Sequence, residues 1–285
     1  MSENICIILN PTAKGEYARR MASQIKTLFP RATFKITQHA GEAKDLARDA
    51  AQAGFKKIIA AGGDGTINEV VNGLAGTKAI LGILPIGSVN VFALELGIPT
   101  DLTQAARVIL KNKKRKVDLA RVNDHYFVQL AGAGLDAAIV KRTSADSKKM
   151  LGPLSYLFTL AQMTHYKPPK LFVRDEKLGC LQGEFILIGN GRFYGGPFLL
   201  FPKGKVGDGK LDVCLFKKMG YMDIFRYLHG VLLGIHTELQ DVVYFQSTQL
   251  SVSSENDVPM EVDGEICGNL PAEFSIQKHA LSVLI

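Results

Sequence analysis

Gly62-Gly63-Asp64-Gly65-Thr66-Ile67-Asn68-Glu69-Val70 decides how the rest of the chain is read. It follows an apolar run over residues 57–61 and opens a stretch with helical spacing over 66–74, with Gly76 beyond it. A strand that ends in glycines and passes straight into a helix has the sequence form of an anion site. Glycine lets the backbone turn and a phosphate come close, and the unbonded N–H groups of the helix start face the anion, aided by the dipole. In an open parallel sheet ligands bind at the carboxyl ends of strands, where this turn lies. By average residue usage, Gly-Gly-Asp-Gly-Thr arises at a given position about once in a million. A purely structural turn leaves Asp64 unexplained, because a carboxylate beside an anion is costly unless it handles a metal or a proton.

Working outward, strands and helices alternate on both sides of the motif. Residues 5–9, 33–37, 57–61 and 80–84 read as strands, and 17–29, 42–53, 66–74 and 102–110 as helices. This alternation argues for βαβ units and a parallel sheet. After Lys116 the texture changes to short β-like runs at 117–122, 126–131, 171–174, 185–189, 211–216, 249–253, 260–262 and 274–276. Turn pairs such as Asn123-Asp124, Asp208-Gly209 and Asp263-Gly264 separate many of them, as in an antiparallel sandwich. Two helical segments, 153–165 and 222–236, interrupt the pattern, and the reading of 222–236 leans to a core helix.

Two further polar turns follow strands of the first half: Asn10-Pro11-Thr12-Ala13-Lys14-Gly15 and Pro85-Ile86-Gly87-Ser88-Val89-Asn90. With the Gly62 turn they would converge on one crevice at the strand ends. The Gly62 motif lacks the Lys-Ser/Thr ending of a Walker A loop, and the chain carries no HRD or DFG signature. Gly132-Ala133-Gly134-Leu135-Asp136-Ala137 fits GxGxxA, but residues 153–170 hold no acid to bind a ribose, so it reads as a tight turn or part of a substrate pocket.

The ordered set resembles the diacylglycerol kinase catalytic-domain superfamily, which includes bacterial diacylglycerol kinases and sphingosine and ceramide kinases. The Asn10-Pro11 loop, the Gly62–Val70 motif and Gly87-Ser88-Val89-Asn90 resemble the family's nucleotide-binding sequences. Gly189-Asn190-Gly191-Arg192-Phe193-Tyr194-Gly195-Gly196-Pro197, Asp208-Gly209-Lys210-Leu211-Asp212 and Asp263-Gly264-Glu265 resemble its second-domain signatures. The resemblance implies an α/β fold plus a β fold: a Rossmann-like parallel-sheet nucleotide domain over residues 1–125, to which a last strand over 278–285 returns, and an antiparallel β-sandwich lipid-binding domain over 126–277. It implies ATP and Mg²⁺ as cofactors and phosphoryl transfer to a lipid hydroxyl. Asn10 would add a polar contact to the nucleotide. Thr12, Thr37, Gly62, Gly63, Asp64, Gly65, Thr66, Ile67, Asn68 and Ser88 would line the ATP site. Asp64 would serve the reacting phosphate through magnesium, water or the hydroxyl proton, Glu265 would be the general base, and Asp208 with the Lys210 carbonyl would hold a structural magnesium. Spacing alone leaves open whether Asp64 or Glu265 is the base. The chain departs from the family where Val91 replaces an acid and where Gly207 stands at a position often acidic.

The acceptor is expected to be diacylglycerol or a related lipid. The stretch 151–163 is apolar on most faces, and 193–201 adds aromatics beside two glycines. Each reads either as core or as an acyl-chain pocket with a lid. The alternatives are a soluble-substrate kinase of the NAD-kinase type and a non-catalytic lipid- or nucleotide-binding regulator.

Bulk properties agree with a globular chain of 285 residues, 47% hydrophobic and 21% charged. Its formal net charge of +7 suits an anionic partner. The basic run Lys111, Lys113, Lys114, Arg115 and Lys116 reads as a solvated helix end or as an attraction for anionic headgroups. No aromatics interleave with it, so nucleic acid is not an expected partner. The four cysteines form no CxxC pair and read as reduced thiols, and the six histidines lack zinc spacing. No signal peptide and no apolar stretch of ~18 residues is seen, so the expectation is a cytoplasmic protein, peripherally associated with the inner membrane face, with a homodimer left open.

Overall fold

The computed structural model describes residues 4–11, 15–134 and 168–285. They form two compact units, Met1–Leu119 with Lys278–Ile285, and Ala120–Gln277. The first unit runs β1 (Ile5–Leu9), α1 (Gly15–Leu28), β2 (Thr33–Ile36), α2 (Glu42–Gln52), β3 (Lys57–Gly62), α3 (Asp64–Leu74), β4 (Ile80–Pro85), α4 (Val91–Glu95) and α5 (Leu102–Lys111). Its strands lie in the order β2-β1-β3-β4, each parallel to its neighbour. β1 and β3 are buried along almost their whole length, as expected for strands with both faces covered. The order makes β1 and β3 the switch point of the sheet, because the chain leaves β1 for one side and returns through β3 on the other.

The second unit contains β6 (His125–Phe127), β7 (Leu130–Ala133), β8 (Leu171–Asp175), β9 (Gly179–Gly183), β10 (Phe185–Gly189), β11 (Phe193–Tyr194), β12 (Phe198–Leu199), β13 (Leu211–Phe216), α6 (Tyr221–Leu233), a 3₁₀ turn His236–Glu238, β14 (Val242–Ser247), β15 (Gln249–Ser254), β16 (Pro259–Val262) and β17 (Glu265–Asn269). Before β6, β5 (Lys114–Val122) enters from the first unit; β18 (Ala272–Leu284) leads back to it. One antiparallel sheet has the order β14-β13-β10-β7-β16-β17. Its inner residues Ile186, Ile188, Val213, Leu215, Met260 and Val262 share a core with Val173, Leu250, Val252 and Phe274 of the facing strands, which makes a sandwich. The other face of that sheet, through Phe185, Leu187 and Phe216, packs against Tyr227, Leu200 and Phe201. Covered on both sides, β10 and β13 show no alternation and are buried throughout.

Several expectations need correction. α5 stops at Lys111 because Asn112 adopts a left-handed cap, so Lys114 to Lys116 begin β5 and are exposed there. The run 126–131 is two strands, broken where a carboxylate takes the amides of residues 128–130. β9 and β17, largely exposed, carry only one or two apolar residues each among glycines and polar side chains, too few for a strand signal, and α4 and β14 are likewise not expected from the sequence. The helix at 222–236 is not a core helix: only Tyr227 and Gly230 of α6 are buried. The helix expected at 153–165 and the lid at 151–163 lie outside the described residues. No helix among the described residues is long and apolar enough to cross a membrane.

Candidate functional site

The loops after β1, β3 and β4 are joined by hydrogen bonds at the switch point. The Asn10 backbone N–H donates to the Ala61 carbonyl at 3.0 Å, and its side-chain amide donates to Thr66 Oγ1 at 2.9 Å. Ile86 N–H donates to the Gly62 carbonyl at 3.1 Å. Gly87 then passes so close to Gly63 that a Cβ on Gly87 would lie 2.4 Å from the Gly63 Cα, a space only glycine can occupy.

Asn90 locks the third loop. It is 4% exposed and takes a left-handed conformation, φ 57°, which asparagine tolerates. Its side chain accepts from Gly87 N–H at 3.1 Å and donates to the Gly87 carbonyl at 2.9 Å. Its own N–H donates to Asp64 Oδ2 at 2.9 Å. The carboxylate of Asp64 is therefore fixed from the neighbouring strand's loop. Ser88 is left exposed between these anchors, and Val91 is buried at the start of α4.

α3 starts at the same place. Its first internal bond is from Ile67 N–H to the Gly63 carbonyl, 3.0 Å, so the amides of residues 64–66 precede the helical ladder. Gly63, Asp64, Gly65 and Asn68 are half-buried, while Thr66 is buried beneath Asn10. Ile67, expected to line the ATP site, has a fully buried side chain, and its N–H is used in the helix. Thr37 is buried at the end of β2. Thr12 lies outside the described residues. Glu69, which the sequence reading did not single out, accepts from the amides of Gly41 and Ala43 at 2.9 Å each and so ties α3 to the start of α2.

In the second unit the acidic turn is a two-residue hairpin. Val262 pairs with Glu265, and Asp263 and Gly264 both take positive φ, 48° and 89°, as an Asp-Gly turn of this kind requires. The Asp263 carboxylate accepts from the amides of Val128, Gln129 and Leu130 at 2.9–3.1 Å. Glu261 accepts from Gly264 N–H at 2.7 Å. The turn is thus held by two acids, leaving Glu265 exposed at the first position of β17.

Asp208 is half-buried, and its Oδ1 accepts from the Lys210 amide at 3.1 Å. The residue missed here is Asp212, the one charged side chain in β13 and 1% exposed. Its Oδ1 accepts from the Tyr244 hydroxyl and from Gln246 Nε2, while Oδ2 is buried with no partner among the described residues. Burial, reinforced by the charge of Asp208, pushes its carboxyl up to about 6. An acid alone in an apolar strand was the available signal.

A pH dependence follows. The folded carboxyl holds its proton more tightly than the unfolded one, ordinarily at 3.8, so stability is lost as pH rises from about 4 through about 6. The loss amounts to as much as roughly 3 kcal/mol at ~1.4 kcal/mol per pH unit. Without divalent cation, the wild-type melting temperature is expected to rise on going from neutral to about pH 5, and Asp212→Asn is expected to flatten that rise. Equal pH dependence in both proteins would refute the assignment.

Comparison with known proteins accords with this geometry. Residues 4–122 match the diacylglycerol kinase catalytic domain, and residues 129–285 match the YegS C-terminal NAD kinase beta sandwich-like domain. The chain is 35% identical over 279 residues to Diacylglycerol kinase of Bacillus subtilis (strain 168), covering 94% of this chain and 91% of that protein. It is 33% identical over 296 residues to Diacylglycerol kinase of Staphylococcus carnosus (strain TM300), covering 99% and 95%. A crystal structure of a diacylglycerol kinase from Bacillus anthracis str. Sterne shares the fold, with a TM-score of 0.81 at 24% identity over 99% of this chain and 96% of that one. With both domains matched in tandem and relatives aligned from end to end, the chain belongs to the diacylglycerol kinase family of ATP-dependent lipid kinases.

Proposed function

We propose that this chain transfers the γ-phosphoryl group of ATP to the hydroxyl of diacylglycerol, as the names of its relatives indicate for them. The observation that carries the reading is the α3 start at the β1/β3 switch point, with Asp64 fixed by the Asn90 amide. Phosphoryl transfer passes through a loose transition state, so positioning and charge stabilisation supply most of the catalysis. The amides of residues 64–66 receive phosphate oxygens. Asp64, already accepting from Asn90, serves the phosphate side of the reaction. Glu265, exposed and with its side chain engaged by no hydrogen bond among the described residues, takes the proton of the lipid hydroxyl.

Magnesium fits the acids of the second unit. The donorless Oδ2 of Asp212, with Asp208 nearby, is what a cation relieves, although no group of three or more ligating side chains is present among the described residues. Asp208, Asp212 and the Lys210 carbonyl would hold it. Bound there, it would neutralise the two carboxylates and stiffen their turn.

The reading places the enzyme at the cytoplasmic face of a membrane. Its test is incubation with labelled ATP and Mg²⁺ against diacylglycerol, sphingosine, ceramide, phosphatidylglycerol and NAD. Label is expected in diacylglycerol. Label in another lipid alone would correct the substrate, and label in NAD alone would overturn the lipid reading.

A further inference from the structure

α6 is apolar on both faces, yet it is not enclosed. Ile224, Tyr227 and Val231 pack inward on the cluster of Phe185, Phe216 and Leu200. Outward stand Tyr221, Met222, Phe225, Leu232 and Leu233, exposed by 63%, 74%, 59%, 56% and 59%. Ile235, just past the helix, adds another exposed apolar side chain at 42%. At 100° per residue, Tyr221, Met222, Phe225 and Leu232 share one face. A contiguous exposed patch of this kind on a soluble unit marks an interaction surface.

The helix is braced from behind. Tyr227 donates its hydroxyl to Asp241 at 2.8 Å, and Arg226 pairs with Asp241 and, at 3.0 Å, with Asp223. The Arg226 guanidinium holds the Asp241 carboxyl down at about 2, so this brace persists across the physiological range. Asp223, the only acid of α6, is turned back to Arg226 and the Gly220 amide. Lys217 and Lys218, both exposed, lead into the helix, and His229 is exposed along it. Past its far end, Glu238 is the exposed acid.

We propose that α6, with Lys217 and Lys218, is the surface that seats the enzyme on an anionic lipid bilayer. Thirteen residues are too few to span a membrane, so the helix lies flat in the interface. Its outward apolar side chains enter the acyl boundary while the two lysines meet headgroup phosphates. Charge complementarity selects the occupant: a cationic entrance, one acid turned away and an apolar face match an anionic lipid surface. The inference rests on the reading of the substrate as a membrane lipid and names the surface that reaches it.

The test is co-sedimentation of the full chain with phosphatidylcholine vesicles, with and without phosphatidylglycerol. A parallel assay follows turnover of a short-chain, water-soluble diacylglycerol. Phe225→Asp with Leu232→Asp is expected to weaken vesicle binding by about 100-fold or more. Lys217→Glu with Lys218→Glu is expected to weaken binding to the anionic vesicles by about 10-fold and to erase the preference for them. Soluble turnover and the melting curve should stay at wild-type values in both, since the substituted side chains are exposed. Wild-type protein that ignores vesicles, or variants that bind them as well as wild type, would overturn the proposal. So would a wild-type dimer that the Phe225 and Leu232 changes dissociate without altering vesicle binding, because a second copy would then cover the face. Vesicle binding through α6 with no lipid turnover would uphold the docking surface and sink the substrate reading instead.

Discussion

Glu265→Gln is expected to lower the rate of lipid phosphorylation by about 10²–10⁴-fold, the usual contribution of a positioned general base. ATP affinity and melting temperature should not change. Glutamine keeps the shape of the side chain and removes its charge and its ability to accept a proton. The hairpin that presents Glu265 is held by Asp263 and Glu261, neither of which this substitution touches. The measurement is turnover at saturating ATP, with ATP binding measured separately. A fall of less than about 10-fold would move the base role to Asp64, because general bases rarely contribute so little.

Asp64 is expected to be the second large effect, and two variants separate its roles. Asp64→Asn keeps an oxygen that can accept from the Asn90 amide but deletes the charge. Turnover should fall by about 10²–10³-fold, as when one preorganised electrostatic partner is removed. Asp64→Ala deletes the acceptor as well and leaves the Asn90 N–H of a buried residue unmatched. That variant should lose the same activity and also about 1–3 kcal/mol of stability, the cost of an orphaned donor. Thermal melts of the two proteins side by side decide the point. Equal stability would show that the Asp64–Asn90 bond does not hold the third loop.

Much of the first unit is legible because β1, β3 and β4 are near-continuous apolar runs and its helices amphipathic, so composition and period both speak. The three loops were legible for a different reason: glycine and asparagine stand where the backbone makes a close approach or a left-handed turn, as at Gly87 and Asn90. What the sequence concealed was division of labour within a motif. Ile67 sits between polar neighbours in Gly62–Val70, yet it points into the core, since a helix sends successive residues to different sides. Asp208 and Asp212 are the same residue type within one motif, and nothing in the motif tells that only Asp212 is deeply buried. β17 is hidden by being a short, largely exposed edge strand, where Ile266 and Cys267 alone give no alternation to read. The outward face of α6 looks like core in the sequence, because an apolar pattern gives the same signal whether protein or something else covers it.

β18 carries one more consequence, for how such a chain is made and divided. Ser282 and Val283 complete the first unit's sheet by pairing with Ile80 and Leu81 of β4, across nearly the whole intervening sequence. While a ribosome is still producing the second unit, the far edge of β4 stays bare, and β4 is apolar along its length. The first unit therefore cannot finish folding ahead of the unit that follows it, and a nascent chain passes through a stage with an open, sticky sheet edge. Evolution meets the same constraint: a cut-and-paste exchange of one unit at a single junction would separate β4 from its closing strand. The two halves are tied by topology and must be inherited together.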